Sequence, residues 1–134
     1  MSAALCIALI LSVATQVGAG QTVIASKRNH DLDISLLSKS GKLVSAKDEY
    51  CVSFTTKGGE PAQVADVFVE FAQQVGRIRE DPRKFPLVPG NLGRYCGQVD
   101  LGKQYYQPAF YHVEVHYTDT SRKRRKCHFF LTIQ

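Results

Sequence analysis

Alternation of apolar and polar residues with period two runs through most of this chain and restricts it to a strand-built fold. Leu32, Ile34 and Leu36 alternate with Asp33 and Ser35, and Tyr50, Val52 and Phe54 with Cys51 and Ser53. The same pattern returns at Val67-Val69-Phe71, at Tyr95-Gly97-Val99-Leu101, at Tyr111-Val113-Val115-Tyr117 and at Phe129-Leu131-Ile133. Successive side chains on a strand point to opposite faces, so each run has one apolar face to bury. Turn chemistry separates the runs at Lys57-Gly58-Gly59-Glu60-Pro61, Pro89-Gly90-Asn91 and Tyr106-Gln107-Pro108. Six runs so spaced predict an all-β antiparallel sandwich of six or seven strands. Its inward set is Tyr50, Val52, Phe54, Val67, Val69, Phe71, Tyr95, Val99, Tyr111, Val113, Val115, Phe129 and Leu131. Gln63 to Phe71 reads as a strand rather than a helix because its β-branched residues alternate. Ala72 to Pro89 carries three prolines and a charged cluster, and is expected to be a long irregular loop with a short strand around Lys84 to Val88.

The beginning of the chain points to export. Met1 to Ser26 carries no charged side chain, and Ala3 to Ala14 is apolar apart from Ser12. That length suits a signal-peptide core and is short of the roughly 20 residues a spanning helix needs. Small residues follow, giving cleavage near Ala19 or Gly20; the alternative is an uncleaved short anchor, since no Lys or Arg precedes the apolar run. Residues 1–20 are thus expected to be a signal segment and the mature protein to be periplasmic or extracellular. About 114 residues then remain, enough for one core, and they keep the full net charge of +5.

The order of elements resembles a known family. Gly41 to Phe54 is a glycine-led strand, Gly58 to Pro61 a Gly-Gly-x-Pro turn, and Ala65-Asp66-Val67-Phe68-Val69-Glu70-Phe71 a strand. Pro89-Gly90-x-x-Gly93-Arg94-Tyr95, a Val99-Asp100-Leu101 strand, an aromatic-led strand from Tyr111 and a final Phe-Leu-x-Ile strand complete it. This layout resembles the YtkA-like family of small exported sandwiches, similar in build to the CopC copper-binding domains. The resemblance implies one immunoglobulin-like domain over residues 27–134 and an accessory role in the bacterial envelope. The family's link to copper rests on methionines after the strand that ends here at Phe71. The corresponding stretch is Ala72-Gln73-Gln74-Val75-Gly76-Arg77-Ile78, and Met1 is the only methionine of the chain. Soft thioethers select Cu(I), so methionine-based copper binding is not carried over.

Other residues offer chemistry. With Tyr111, Val113, Val115 and Tyr117 inward, His112, Glu114 and His116 share the opposite face, and a returning hairpin brings His128 beside them. Imidazoles with a carboxylate suit a divalent copper or zinc ion, although a flat exposed sheet face supplies little support around such a site. The spacing favours His116 with His128 as the closer pair. In an immunoglobulin-type order Cys51 and Cys96 lie on neighbouring strands, so a bridge between them and buried thiols are both open readings, while Cys127 falls in phase with the core. The run Arg122, Lys123, Arg124, Arg125 and Lys126 reads as a solvated hairpin end, or as a contact for an anionic membrane surface. Hydrolase, zinc-peptidase and phosphate-loop motifs are missing from the sequence, which argues against an enzyme. Export argues against nucleic acid. The expectation is a non-enzymatic domain docking on an envelope protein; the alternative is a metal-handling domain using the histidines.

Overall fold

A computed structural model describes residues 20–104 and 108–133. The leader therefore lies outside the described residues, as do Tyr106 and Gln107 of the third turn. The described chain has no helix and nine strands: β1 (Thr22–Asn29), β2 (Leu32–Ser38), β3 (Lys47–Thr56), β4 (Ala65–Val75), β5 (Ile78–Pro86), β6 (Val88–Pro89), β7 (Arg94–Asp100), β8 (Phe110–Thr118) and β9 (Arg124–Thr132). They form two antiparallel sheets, ordered β1-β2-β3-β7-β6 and β5-β4-β8-β9. Strands β2-β3-β7-β6 and β4-β8-β9 follow the A-B-E-D and C-F-G order of an immunoglobulin-type sandwich, with β1 and β5 as additional edges.

The core is the inward phase of the alternation. Tyr50, Val52, Phe54, Val69, Phe71, Val113, Val115 and Tyr117 are fully buried, and Val67, Tyr95, Val99, Tyr111 and Phe129 nearly so. Leu131 alone of the expected inward set is half-buried, packing against the cluster from the β9 edge. Aromatic rings join the two sheets: Tyr50 to Phe71 at 5.4 Å and Phe54 to Tyr117 at 5.0 Å between centroids. Each such side chain contributes about 1.5–3 kcal/mol through burial.

The nine described strands are two more than the upper end of the expected six or seven, and β1, β5 and β6 lie outside the six alternating runs. β1 begins at Thr22, five residues ahead of the expected domain start at 27. β6 is only two residues long. The largest correction is Ala72 to Pro89, which is not a loop. β4 runs on to Val75, turns at Gly76 with φ 60°, and β5 returns alongside it. β5 escaped the periodicity because it is an edge strand whose inward positions include Glu80 and Arg83, opposite Gln73 and Phe71. Only Phe85, opposite Val69, adds an apolar inward residue. Pro82 falls where the register shifts between Phe71 and Gln73, a place where a missing N–H costs no ladder bond.

The Pro-Gly-x-x-Gly-Arg-Tyr stretch has a structural purpose. Gly93 sits at φ 73°, and a Cβ there would lie 2.7 Å from the Phe54 carbonyl oxygen. That close approach lets the Phe54 N–H donate to the Gly93 carbonyl at 3.0 Å. Two residues on, the Tyr95 hydroxyl donates to the Val64 carbonyl at 2.7 Å, tying β7 to the segment that leads into β4.

A covered histidine and glutamate cluster on the outer face

The outer face of the β5-β4-β8-β9 sheet is built in rows. Pro86, Phe68, His116 and Lys126 form one; Lys84, Glu70, Glu114 and His128 the next; Ala72, His112 and Phe130 a third. The middle row sets Glu70 directly opposite Glu114, an arrangement that repels unless a cation intervenes. Arg79 of β5 provides it. One guanidinium nitrogen is 2.6 Å from Glu70 Oε1 and 3.4 Å from Glu114 Oε1. Ala72, small and fully buried in the adjoining row, leaves room for that long side chain to cross.

Each histidine has a defined place. His112 Nε2 and His128 Nδ1 are 2.7 Å apart, a hydrogen bond that requires at least one neutral ring. His112 is stacked on Phe130 at 4.8 Å. His128 Nδ1 also lies 3.3 Å from Glu114 Oε2. His116 instead stacks on Phe68 at 4.4 Å, and its Nε2 is 3.5 Å from Glu114 Oε1, too far for a good hydrogen bond. The closer pair is therefore His112 with His128, and not His116 with His128. Register explains it: His128 stands opposite Glu114, diagonal to both other histidines, and Phe68 holds the His116 ring away.

The face is also not the flat exposed surface expected. His112 and Glu114 are buried beneath Arg79, the flanking imidazoles and Phe130. Burial, helped by Arg79, pushes the His112 pKa down and favours the neutral ring. Burial likewise lowers His116, against an opposing pull from Glu114. For Glu114, burial acts to raise the pKa, but Arg79 and Lys126 outweigh it and hold the carboxyl below its ordinary value. The lowered values favour neutral rings at His112 and His116 and an ionised carboxylate at Glu114. His112, Glu114 and His128 can each turn one ligand atom toward a common point, all three atoms lying within 4.8 Å of one another, and so can Glu70, Glu114 and His116. Glu70, Arg79, Phe68 and Phe130 escaped the sequence reading, since Glu70 shows no partner until β5 is recognised as a strand. His30 is elsewhere, in the β1–β2 turn.

The cysteines and the cations complete the inventory. Cys51 and Cys96 face each other on β3 and β7 and form a disulfide, with Cα atoms 4.1 Å apart. The bridge lies within one sheet, unlike the inter-sheet bridge of antibody domains. Cys127 is a buried free thiol whose pKa burial pushes up. The basic run divides. Only Arg122 and Lys123 belong to the hairpin turn; Arg124, Arg125 and Lys126 are in β9. Arg125 pairs with Asp119 at 2.9 Å, Arg124 lies over the Phe68 ring, and Lys126 reaches to 3.7 Å from Glu114 Oε2. No protein-family model and no curated protein matches this chain.

Proposed function

We propose that the chain is an exported, non-enzymatic binding domain that docks on an envelope protein through the outer face of the β8–β9 hairpin. The observation that carries this reading is the pair Phe110 and Phe130, 47% and 70% exposed on that face. Large aromatic side chains left in water beside Arg and Lys are the usual makings of a protein interface. Phe130 also borders an open groove of about 560 Å³ between the first and last strands, lined with Val23, Ile24, Leu43 and Leu131. A partner presenting an apolar side chain for that groove, with acidic neighbours for Lys42, Arg124 and Lys126, fits this surface. The Cys51–Cys96 bridge and the uncharged apolar leader support an oxidising compartment outside the cytoplasm. The YtkA-like order of elements points the same way.

Retention of the protein on washed native envelopes tests the reading. Replacing Phe110 and Phe130 together by Ser should lower retention by about tenfold or more, as loss of central aromatic anchors does. Ile78→Ser, which removes an exposed apolar residue from the far edge of the same sheet, should leave it unchanged. Equal retention of the double variant and the parent would overturn the docking face.

A further inference from the structure

We infer that His112, Glu114 and His128 form a binding site for one divalent transition-metal ion, with two imidazole nitrogens and one carboxylate oxygen as protein ligands. The inference goes beyond the docking surface and stands without it. Both histidines belong to the β8–β9 hairpin, and a fully paired register from Phe110↔Thr132 to Thr118↔Arg124 fixes their separation. The three ligand atoms already converge: Nε2 to Nδ1 at 2.7 Å and Nδ1 to Oε2 at 3.3 Å. Ligands 2.0–2.1 Å from a tetrahedral ion stand ~3.3 Å apart, so the imidazole pair needs to open by only about half an ångström.

The surroundings hold the ligands as an ion requires. Phe130 fixes the plane of the His112 ring at an interplanar angle of 6°. Arg79 occupies Glu114 Oε1, which leaves Oε2 facing His128. The charge of Arg79 is partly offset by Glu70 at 2.6 Å, which weakens its repulsion of a cation at His112. Among the described residues Lys126 is the cation paired with Oε2, at 3.7 Å, and its side chain is 57% exposed. Support of this kind around the ligands is what ordinary polar sheet faces lack, and it typically changes metal affinity 10–100-fold. His116 is not a ligand of this site: it lies on the far side of Glu114, stacked on Phe68. Two nitrogens and one oxygen suit Cu(II) or Zn(II), with Cu(II) the tighter of the two by the general order of divalent affinities. On binding, the proton between Nε2 of His112 and Nδ1 of His128 moves to the other nitrogen of its own ring, and in acid the formation of imidazolium competes with the ion, so affinity should fall as the solution is acidified.

Calorimetric titration of the oxidised full chain, stripped with a chelator, with Zn(II) and with Cu(II) tests the site. The expected result is one ion per chain, with His112→Gln and His128→Gln each weakening binding by more than about tenfold. His30→Gln, outside the cluster, should leave affinity within about threefold, and His116→Gln, which touches only the Glu114 oxygen turned away from the ion, should weaken binding distinctly less than either ligand variant. The Cu(II) complex should show electron paramagnetic resonance coupling to two imidazole nitrogens, and one in either single variant. Circular dichroism and the melting temperature separate a lost ligand from a lost fold. The proposal is overturned if no one-to-one binding appears, if affinity survives H112Q and H128Q combined, or if His116→Gln weakens binding as much as His128→Gln.

Discussion

His112 and His116 on the outer face are placed so that burial, more than their neighbours, sets their charge. His112 and His116 have pKa values lowered from the ordinary 6.5 by burial, with Arg79 also bearing on His112 and Glu70 and Glu114 opposing the shift. Between the lowered folded values and 6.5, the unfolded chain binds more protons than the folded one. Stability therefore rises with pH across that window and is lost as pH falls below 6.5. Glu114, lowered from 4.5, adds a second loss in the same direction as pH falls below 4.5 and on through its folded value. Denaturant midpoints measured from pH 8 down to about 3 should show the upper step and the onset of the lower one. The double variant His112→Gln/His116→Gln should lose the upper one; a midpoint that stays flat between about pH 7 and 5.5 in the parent would contradict the burial of neutral rings. The sequence already placed all three histidines and Glu114 on one face, because period-two alternation decides which face a strand residue takes. It chose the wrong pair, His116 with His128, because which rings close depends on Phe68 and Phe130 as stacking partners, and stacking is a property of register and rotamer.

Among the elements, the strands that bury an apolar face were legible and the others were not. β2, β3, β4, β7, β8 and the edge strand β9 each bury such a face and so carry the alternating pattern. β5, at the edge, presents Glu80 and Arg83 inward at its rim and carries Pro82 at a bulge, so only its end, within the short strand expected around Lys84 to Val88, was legible and the part from Ile78 was not. The missed strand had a consequence for the site, since Arg79 of β5 is what allows Glu70 and Glu114 to face each other. The turn before β7 is the element whose chemistry is least replaceable. Gly93 combines a positive φ with a would-be Cβ 2.7 Å from the Phe54 carbonyl, whereas Gly59, at φ 84°, has nothing within 4 Å. Gly93→Ala should therefore cost roughly 1–3 kcal/mol and Gly59→Ala distinctly less, read as shifts of the denaturant midpoint. Equal shifts would mean that the contact with β3 is not holding the turn.

For the whole molecule, the Cys51–Cys96 disulfide, the buried thiol of Cys127 and the uncharged stretch from Met1 to Ser26 bear on a single question, where the protein works. The sandwich buries its aromatic core between two sheets, staples β3 to β7, and turns a face with exposed phenylalanines and cations outward. A small β domain gains about 2–4 kcal/mol from such a bridge, but only in a compartment that keeps it oxidised. The proposed docking on an envelope protein presupposes that compartment. Counting reactive thiols tests it most directly. Cells are quenched in acid, the protein is denatured without reductant, alkylated and weighed. The chain has four cysteines, Cys6 in the leader and Cys51, Cys96 and Cys127 beyond it. Export with cleavage near Ala19 or Gly20 predicts a single alkylated residue, Cys127, and a mass lacking the leader. Four alkylated cysteines on a chain beginning at Met1 would contradict the account.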